Sequence, residues 1–65
     1  MIPYRCLLLG PMGQVQAEEE IEAQSKEGAL AVAREMLSRR THHAAFELWL
    51  DARVVHTEFR EERVA

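Results

Sequence analysis

The sequence has few of the residues that usually reinforce a small protein. Cys6 is the single cysteine among 65 residues, so a disulfide within the chain is excluded. A lone thiol is typical of a reducing cytoplasm. The apolar run near the start covers only residues 6–9, too short for a secretory signal or a membrane span. We therefore expect one soluble cytoplasmic domain, since 65 residues leave no room for a second.

Basic residues are also scarce in the first half of the chain. The net charge is −3, and residues 1–27 carry two basic and five acidic side chains, whereas residues 28–65 carry six of each. General nucleic-acid binders usually have a basic surface. The charge balance therefore argues against that class and favours a role of the acidic residues in solubility.

Patterns that carry chemistry are missing as well. Cys6 lies in an apolar run without a neighbouring base, which indicates a buried small hydrophobe rather than a nucleophile. His42, His43 and His56 do not have a metal-ligand spacing, and no helix with a GK[ST] motif follows the turn at residues 10–13. We expect a protein that is not an enzyme and that binds no metal or cofactor.

Alternation and periodicity predict two strands and then a helix. Residues 4–9 and 14–24 alternate in polarity, with a bulge or break expected in the glutamate run at residues 18–20. Ser25 is a good N-cap for a helix over residues 25–40. The apolar arc of this helix contains Ala29, Leu30, Val32, Ala33, Met36 and Leu37.

A second alternating pair follows the helix. Ala45–Leu50 and Arg53–Phe59 predict a hairpin around Asp51 and Ala52. A two-residue loop pairs Trp49 with Val54, Leu48 with Val55 and Glu47 with His56, whereas a longer loop shifts this register. We expect residues 1–59 to form the domain and residues 60–65 to be a frayed tail.

These elements predict an α+β fold with the order ββαββ. A right-handed connection through the helix makes the second and third strands parallel in direction, and the first strand fits between them. The sheet is then antiparallel with strand order 2-1-3-4, and the helix packs on one face. The side chains expected beneath the helix are Cys6, Leu8, Val15, Ile21, Phe46, Leu48 and Val55.

The other sheet face has no predicted cover. It carries the apolar side chains of Leu7, Leu9, Trp49 and Val54, and the charged rim includes Arg5, Glu47 and His56. An apolar patch around a tryptophan with a polar rim is typical of an interface. We expect these seven residues to bind another protein, most simply a second copy in a homodimer. A half-wet sheet with Trp49 lying flat is the alternative.

The basic loop at residues 39–43 suggests a different binding role. Arg39, Arg40 and His43 form the one basic cluster, at the predicted helix C-terminus. These cations could contact a phosphate or a nucleic acid, although cations at this position also complement the helix dipole. This ligand class is the second reading of the sequence.

Several blocks of the sequence resemble a group of very short bacterial proteins of unknown function. The blocks are residues 3–5, 11–13, 21–23, 29–37 and 46–49, within a match over roughly residues 3–56. Proteins of that group begin with Met-Pro-x-Tyr and continue with a hairpin, an Ala-rich helix and a second hairpin. The chain departs from them in having Ile2 before Pro3, and Cys6 where an aromatic residue is expected. The resemblance implies the ββαββ fold and a bacterial, cytoplasmic setting, and it supplies no catalytic residues.

Overall fold

Residues 1–60 fold as a four-stranded sheet with one helix. The computed structural model describes residues 1–60. Its elements are β1 (Ile2–Leu9), β2 (Val15–Ala23), α1 (Lys26–Arg39), β3 (Ala45–Leu50) and β4 (Arg53–Phe59). The strands are antiparallel in the order β2-β1-β3-β4, which confirms the predicted fold class and topology. Residues 61–65 of the predicted frayed tail lie outside the described residues.

The helix begins where the sequence predicts. Ser25 has an extended backbone, and its Oγ accepts a hydrogen bond from the Gly28 N–H at 3.2 Å, as in an N-cap. The prediction for Val32 is wrong, because its side chain is 41% exposed on the outer side of α1. Within residues 1–60 no helix has the length and hydropathy needed to cross a membrane.

The hydrophobic core lies between α1 and one face of the sheet. Phe46, Leu8, Leu48 and Cys6 are its largest fully buried side chains. Burying an apolar side chain of the size of leucine contributes about 1.5–3 kcal/mol. The small residues Ala29 and Ala33 let the helix lie close to the sheet. The remaining buried members of the core are Tyr4, Ile21, Ala23, Leu30 and Leu37.

The β1–β2 ladder contains an irregularity, but not where it was predicted. Leu8 pairs with Ala17 and Leu9 pairs with Val15, so Gln16 has no partner across the ladder. The glutamate run at residues 18–20 pairs regularly with β1, and the predicted break there is wrong. The extra residue turns Val15 away from the helix. Val15 is 57% exposed, and its predicted position beneath the helix is also wrong.

The β3–β4 hairpin has the predicted two-residue turn and then departs from the predicted register. Leu50 pairs with Arg53 and Trp49 pairs with Val54. Positive φ occurs at Asp51 (57°) but not at Ala52, a pattern of type II′ rather than type I′ turns. Leu48 then pairs with His56, which leaves Val55 as a bulge.

Arg60, the first residue of the predicted tail, binds the C-terminal end of the helix. Its Nη2 donates to the Leu37 carbonyl at 2.5 Å and also to the Arg40 carbonyl, and its Nε donates to the His43 carbonyl at 2.9 Å. Its backbone N–H donates to the Ala44 carbonyl at 2.7 Å. A cationic donor is favourable here because the last carbonyls of a helix have no partners within it.

Candidate protein-interaction surface

The sheet face opposite the helix, here called the open face, consists of cross-strand rows. Residues paired in an antiparallel ladder point to the same side of the sheet, so the registers define the rows. The tryptophan row is Glu20, Arg5, Trp49 and Val54. The middle row is Glu18, Leu7, Glu47 and Thr57. The apolar row is Val15, Leu9, Ala45 and Phe59.

The tryptophan row combines an aromatic ring with a cation. Trp49 is half-buried and lies between Arg5 on β1 and Val54 on β4. Val54 is 42% exposed. A shallow recess beside Trp49 is lined by Pro3, Tyr4, Arg5, Glu20, Trp49 and Asp51. This row therefore offers a partner surface both the exposed side chain of Val54 and the recess beside Trp49.

The middle row holds the polar contacts of the open face. Glu47 Oε1 accepts a hydrogen bond from Trp49 Nε1 at 3.1 Å, which fixes the orientation of the indole ring. Arg5 Nε lies 3.0 Å from Glu18 Oε2, and both side chains are more than half exposed. An exposed pair of this kind contributes at most about 1 kcal/mol. Leu7 is half-buried between Glu18 and Glu47.

The apolar row is a strip of four apolar side chains across the whole sheet. Leu9 and Ala45 are buried in its centre, whereas Val15 and Phe59 are 57% and 74% exposed at its two ends. Sequence reasoning missed Val15 because the bulge at Gln16 reverses its side. It missed Phe59 because the bulge at Val55 shifts the hairpin register. No local signal in the sequence marks either bulge.

Five of the seven predicted interface residues lie on accessible parts of the open face. These are Leu7, Trp49, Val54, Arg5 and Glu47. Leu9 lies on this face but is only 7% exposed, so it supports the strip rather than presenting itself to a partner. The predicted placement of His56 on this face is wrong, because the bulge at Val55 pairs His56 with Leu48 and turns its side chain to the helix side of the sheet.

On the helix side, His56 belongs to a polar cluster that joins β4 to α1. Its Nε2 lies 3.0 Å from Glu58 Oε1, and its ring is tilted against Phe46 with centroids 6.0 Å apart. Arg34 of α1 donates to both carboxylate oxygens of Glu58 at 2.9–3.0 Å. Hydrogen bonds from Arg34 first, and then from His56, lower the pKa of Glu58. The cluster attaches the edge strand to the helix.

The residues of the predicted anion site are each engaged elsewhere. Arg39 Nη2 lies 3.0 Å from Glu35 Oε1, one turn earlier in the helix. Arg40 Nη2 lies 3.1 Å from Glu19 Oε2 and thereby joins the helix end to the acidic edge strand. His43 is buried, with Nδ1 at 2.8 Å from Gln16 Oε1. Binding of a phosphate or a nucleic acid stays a prediction that no contact in the described residues favours.

Two buried titratable groups, His43 and Cys6, have shifted pKa values that favour their neutral forms. Burial, and then the charges of His42, Arg40 and Arg60, lower the pKa of His43. Burial and the neighbouring Glu19 carboxylate raise the pKa of the Cys6 thiol to about 11. A thiol with so little thiolate is a poor nucleophile, in agreement with its predicted structural role.

Neither a metal centre nor a known relative points to a function. Over residues 1–60, no group of three or more His, Cys, Asp or Glu side chains is arranged to hold a metal ion. No protein-family model, curated protein or solved structure matches the chain. The open face is consequently the basis for a functional proposal.

Proposed function

We propose that this protein is a non-enzymatic interaction module that self-associates through the open face. The observation that carries the proposal is the concentration of exposed apolar side chains on a sheet face that α1 does not cover. Val15, Val54 and Phe59 are each more than 40% exposed there, around the half-buried Trp49. Aromatic anchors within a partly polar surface are typical of protein interfaces.

The polar residues of the face suit a second copy as the occupant. Arg5 and Glu47 lie on the two central strands. Arg5 of one copy can therefore form an ion pair with Glu47 of the other copy, and Glu47 of the first copy with Arg5 of the second. An interface formed by one patch on both subunits needs such self-complementary charges. We assign specificity to Arg5 and Glu47, and the apolar contact to Trp49, Leu7, Val54, Val15 and Phe59.

The size of the face predicts weak association. Four strands spaced about 4.8 Å apart, with about seven residues each at about 3.3 Å, give a projected area of about 400 Å² per copy. That area is at the small end of specific protein interfaces. We therefore expect a dissociation constant in the micromolar range. The setting we propose is a bacterial cytoplasm, from the lone thiol and the resemblance to short bacterial proteins.

The test is the molar mass by light scattering over a wide range of concentration, with two matched variants. Val54→Glu places a carboxylate on the open face, whereas Val32→Glu changes an equally exposed valine (41% against 42%) on the outer side of the helix. We expect the wild type and Val32→Glu to dimerise. Val54→Glu should raise the dissociation constant about tenfold or more, because a charge in an apolar interface loses its hydration.

Two results would contradict the proposal. The first is a wild-type monomer at every concentration, and the second is an equal effect of the two valine substitutions. A chain ending at Arg60 separates the causes of the first result. If that shorter chain dimerises where the full chain does not, residues 61–65 occupy the open face in place of a second copy.

A further inference from the structure

We infer that the second copy binds about a two-fold axis parallel to the strands, which places Arg5 of each copy over Trp49 of the other. This inference rests on the proposed self-association and adds to it the orientation of the partner. Two face-to-face copies of one sheet are related by an axis that lies between the sheets. When the strands of the two sheets are nearly aligned, that axis is either parallel or perpendicular to the strands.

An axis parallel to the strands exchanges the two halves of the sheet, because two strands lie on each side of its midline. The midline of the sheet runs between β1 and β3. A two-fold axis along this midline places β1 over β3 of the other copy and β2 over β4. Each cross-strand row then faces the same row of the other copy. The perpendicular axis instead places every strand over itself and inverts the order of the rows.

The charge distribution favours the parallel axis. On the open face, β2 carries Glu18, Glu20 and Glu22, as their pairing with β1 shows. On the same face β4 carries no acidic residue, because its members there are Val54, Thr57 and Phe59. The parallel axis places each glutamate edge over the uncharged open-face side chains of β4 in the other copy. The perpendicular axis places the two glutamate edges over each other, where like charges repel.

The apolar row is complementary to itself about the same axis. Exposed Phe59 of one copy faces exposed Val15 of the other, on either side of the buried Ala45 and Leu9. The two side chains of this row that are exposed in the isolated chain thereby cover each other. In the tryptophan row, Val54 faces Glu20, which lines the recess beside Trp49.

Arg5 has two favourable partners in this arrangement. Its guanidinium lies over the indole of Trp49 in the other copy, a geometry that permits a cation–π contact. It also lies one row from Glu47 of that copy, whose carboxylate accepts only the Trp49 N–H in the isolated chain over residues 1–60. An ion pair with Arg5 would compensate the charge of Glu47 when the interface excludes water.

Crosslinking from the middle row tests the axis. Glu18→Cys is on β2 and Thr57→Cys is on β4, and a short bis-maleimide joins only thiols that face each other. With the parallel axis, position 18 faces position 57 of the other copy. Two positions 18 are then about 17 Å apart, from three strand spacings along the sheet and about 10 Å between sheets. We expect covalent dimer from a mixture of the two variants and little from either alone.

Each other pattern would overturn the inference in a distinct way. Crosslinking within both single-variant samples indicates the perpendicular axis, which places each of these positions over itself, and crosslinking within the Thr57→Cys sample only indicates pairing of the β4 edges. A dimer by light scattering with no crosslink in any sample places the interface elsewhere. A monomer by light scattering contradicts the proposed function itself, so the two failures are distinguishable. The wild type is the control for Cys6, which is buried.

A charge exchange gives a second readout that does not depend on crosslinking. Val54 of one copy faces Glu20 of the other only with the parallel axis, whereas in one chain these residues lie on opposite edges of the sheet. The double variant Val54→Glu/Glu20→Lys should therefore recover most of the affinity that Val54→Glu loses. No recovery, at unchanged thermal stability, would overturn the inference.

Discussion

Replacing Arg60 by alanine should destabilise the protein by about 2.5 kcal/mol. The side chain donates three hydrogen bonds to carbonyls of the helix end and the loop after it. Hydrogen bonds of a charged donor contribute about 1.5 kcal/mol each at the lower end of their range, or about 4.5 kcal/mol together. Holding one arginine side chain in a single conformation costs about 2 kcal/mol of conformational entropy. The net loss of stability on removing it is therefore about 2.5 kcal/mol.

The assay is urea unfolding followed by circular dichroism, with Arg53→Ala as the matched control. Arg53 begins β4, the strand that ends just before Arg60, and it is exposed beside the hairpin turn, so its removal should change the free energy of unfolding by less than about 0.5 kcal/mol. In a domain of this size the Arg60 variant should melt about 10–20 °C lower. Arg60→Lys should recover only part of the loss, since one ammonium cannot reproduce the fork of donors.

The reasoning would be refuted by a loss of less than about 0.5 kcal/mol for Arg60→Ala, within the range of an ordinary surface substitution. An equal loss for Arg53→Ala would also refute it, because a general effect of positive charge at the two ends of β4 would then explain both. Hydrogen exchange adds a local readout. The last turn of α1 should lose protection in the Arg60 variant before the sheet does.

Three further predictions follow from single residues. At pH 8 the Cys6 thiol should react with a disulfide reagent at least about a hundredfold more slowly in the folded protein than in urea, since its pKa is about 11 instead of 9.0; equal rates would contradict its burial. Glu58→Gln should destabilise the protein more at pH 7 than at pH 3, because the lowered pKa of Glu58 adds stability that is present above the unfolded carboxyl pKa and is lost as the pH falls through the folded value. A loss of stability that is the same at both pH values in urea titrations would exclude the ion pair with Arg34 as its cause. Asp51→Val should lower the free energy of unfolding by about 1 kcal/mol more than Ala52→Val, because a branched side chain is strained at φ 57°; thermal melts that do not differ would contradict this.

The fold was predictable because its determinants are local. Alternation marks the strands, Ser25 marks the start of the helix, and the hand of the connection through the helix leaves few arrangements of four strands. The central part of the open face was predictable for the same reason. β1 and β3 pair regularly from Arg5 to Leu9, so alternation assigns Leu7 and Trp49 to the correct side.

Apart from Val32 on the helix, the errors lie at the edges of the sheet, where contacts distant in sequence decide the structure. Gln16 leaves the ladder and binds His43, 27 positions away. His56 changes sides because of the bulge at Val55, and it then joins the cluster around Glu58. The charged composition of the chain end indicates fraying, but the carbonyls that hold Arg60 come from residues 37–43. A single sequence does not show such partners.

The central ladder between β1 and β3 has a consequence for how the chain reaches its native state. Each hairpin closes through a short turn, whereas the pair Arg5 and Trp49 closes a loop of about 44 residues, which has a larger entropic cost. We expect formation of the β1–β3 ladder to limit the rate of folding. Formation of α1 should accelerate this step, because the helix shortens the loop that must close. Substitutions at Leu8 or Phe46 should then slow folding, whereas substitutions in the β4 hairpin turn should mainly accelerate unfolding.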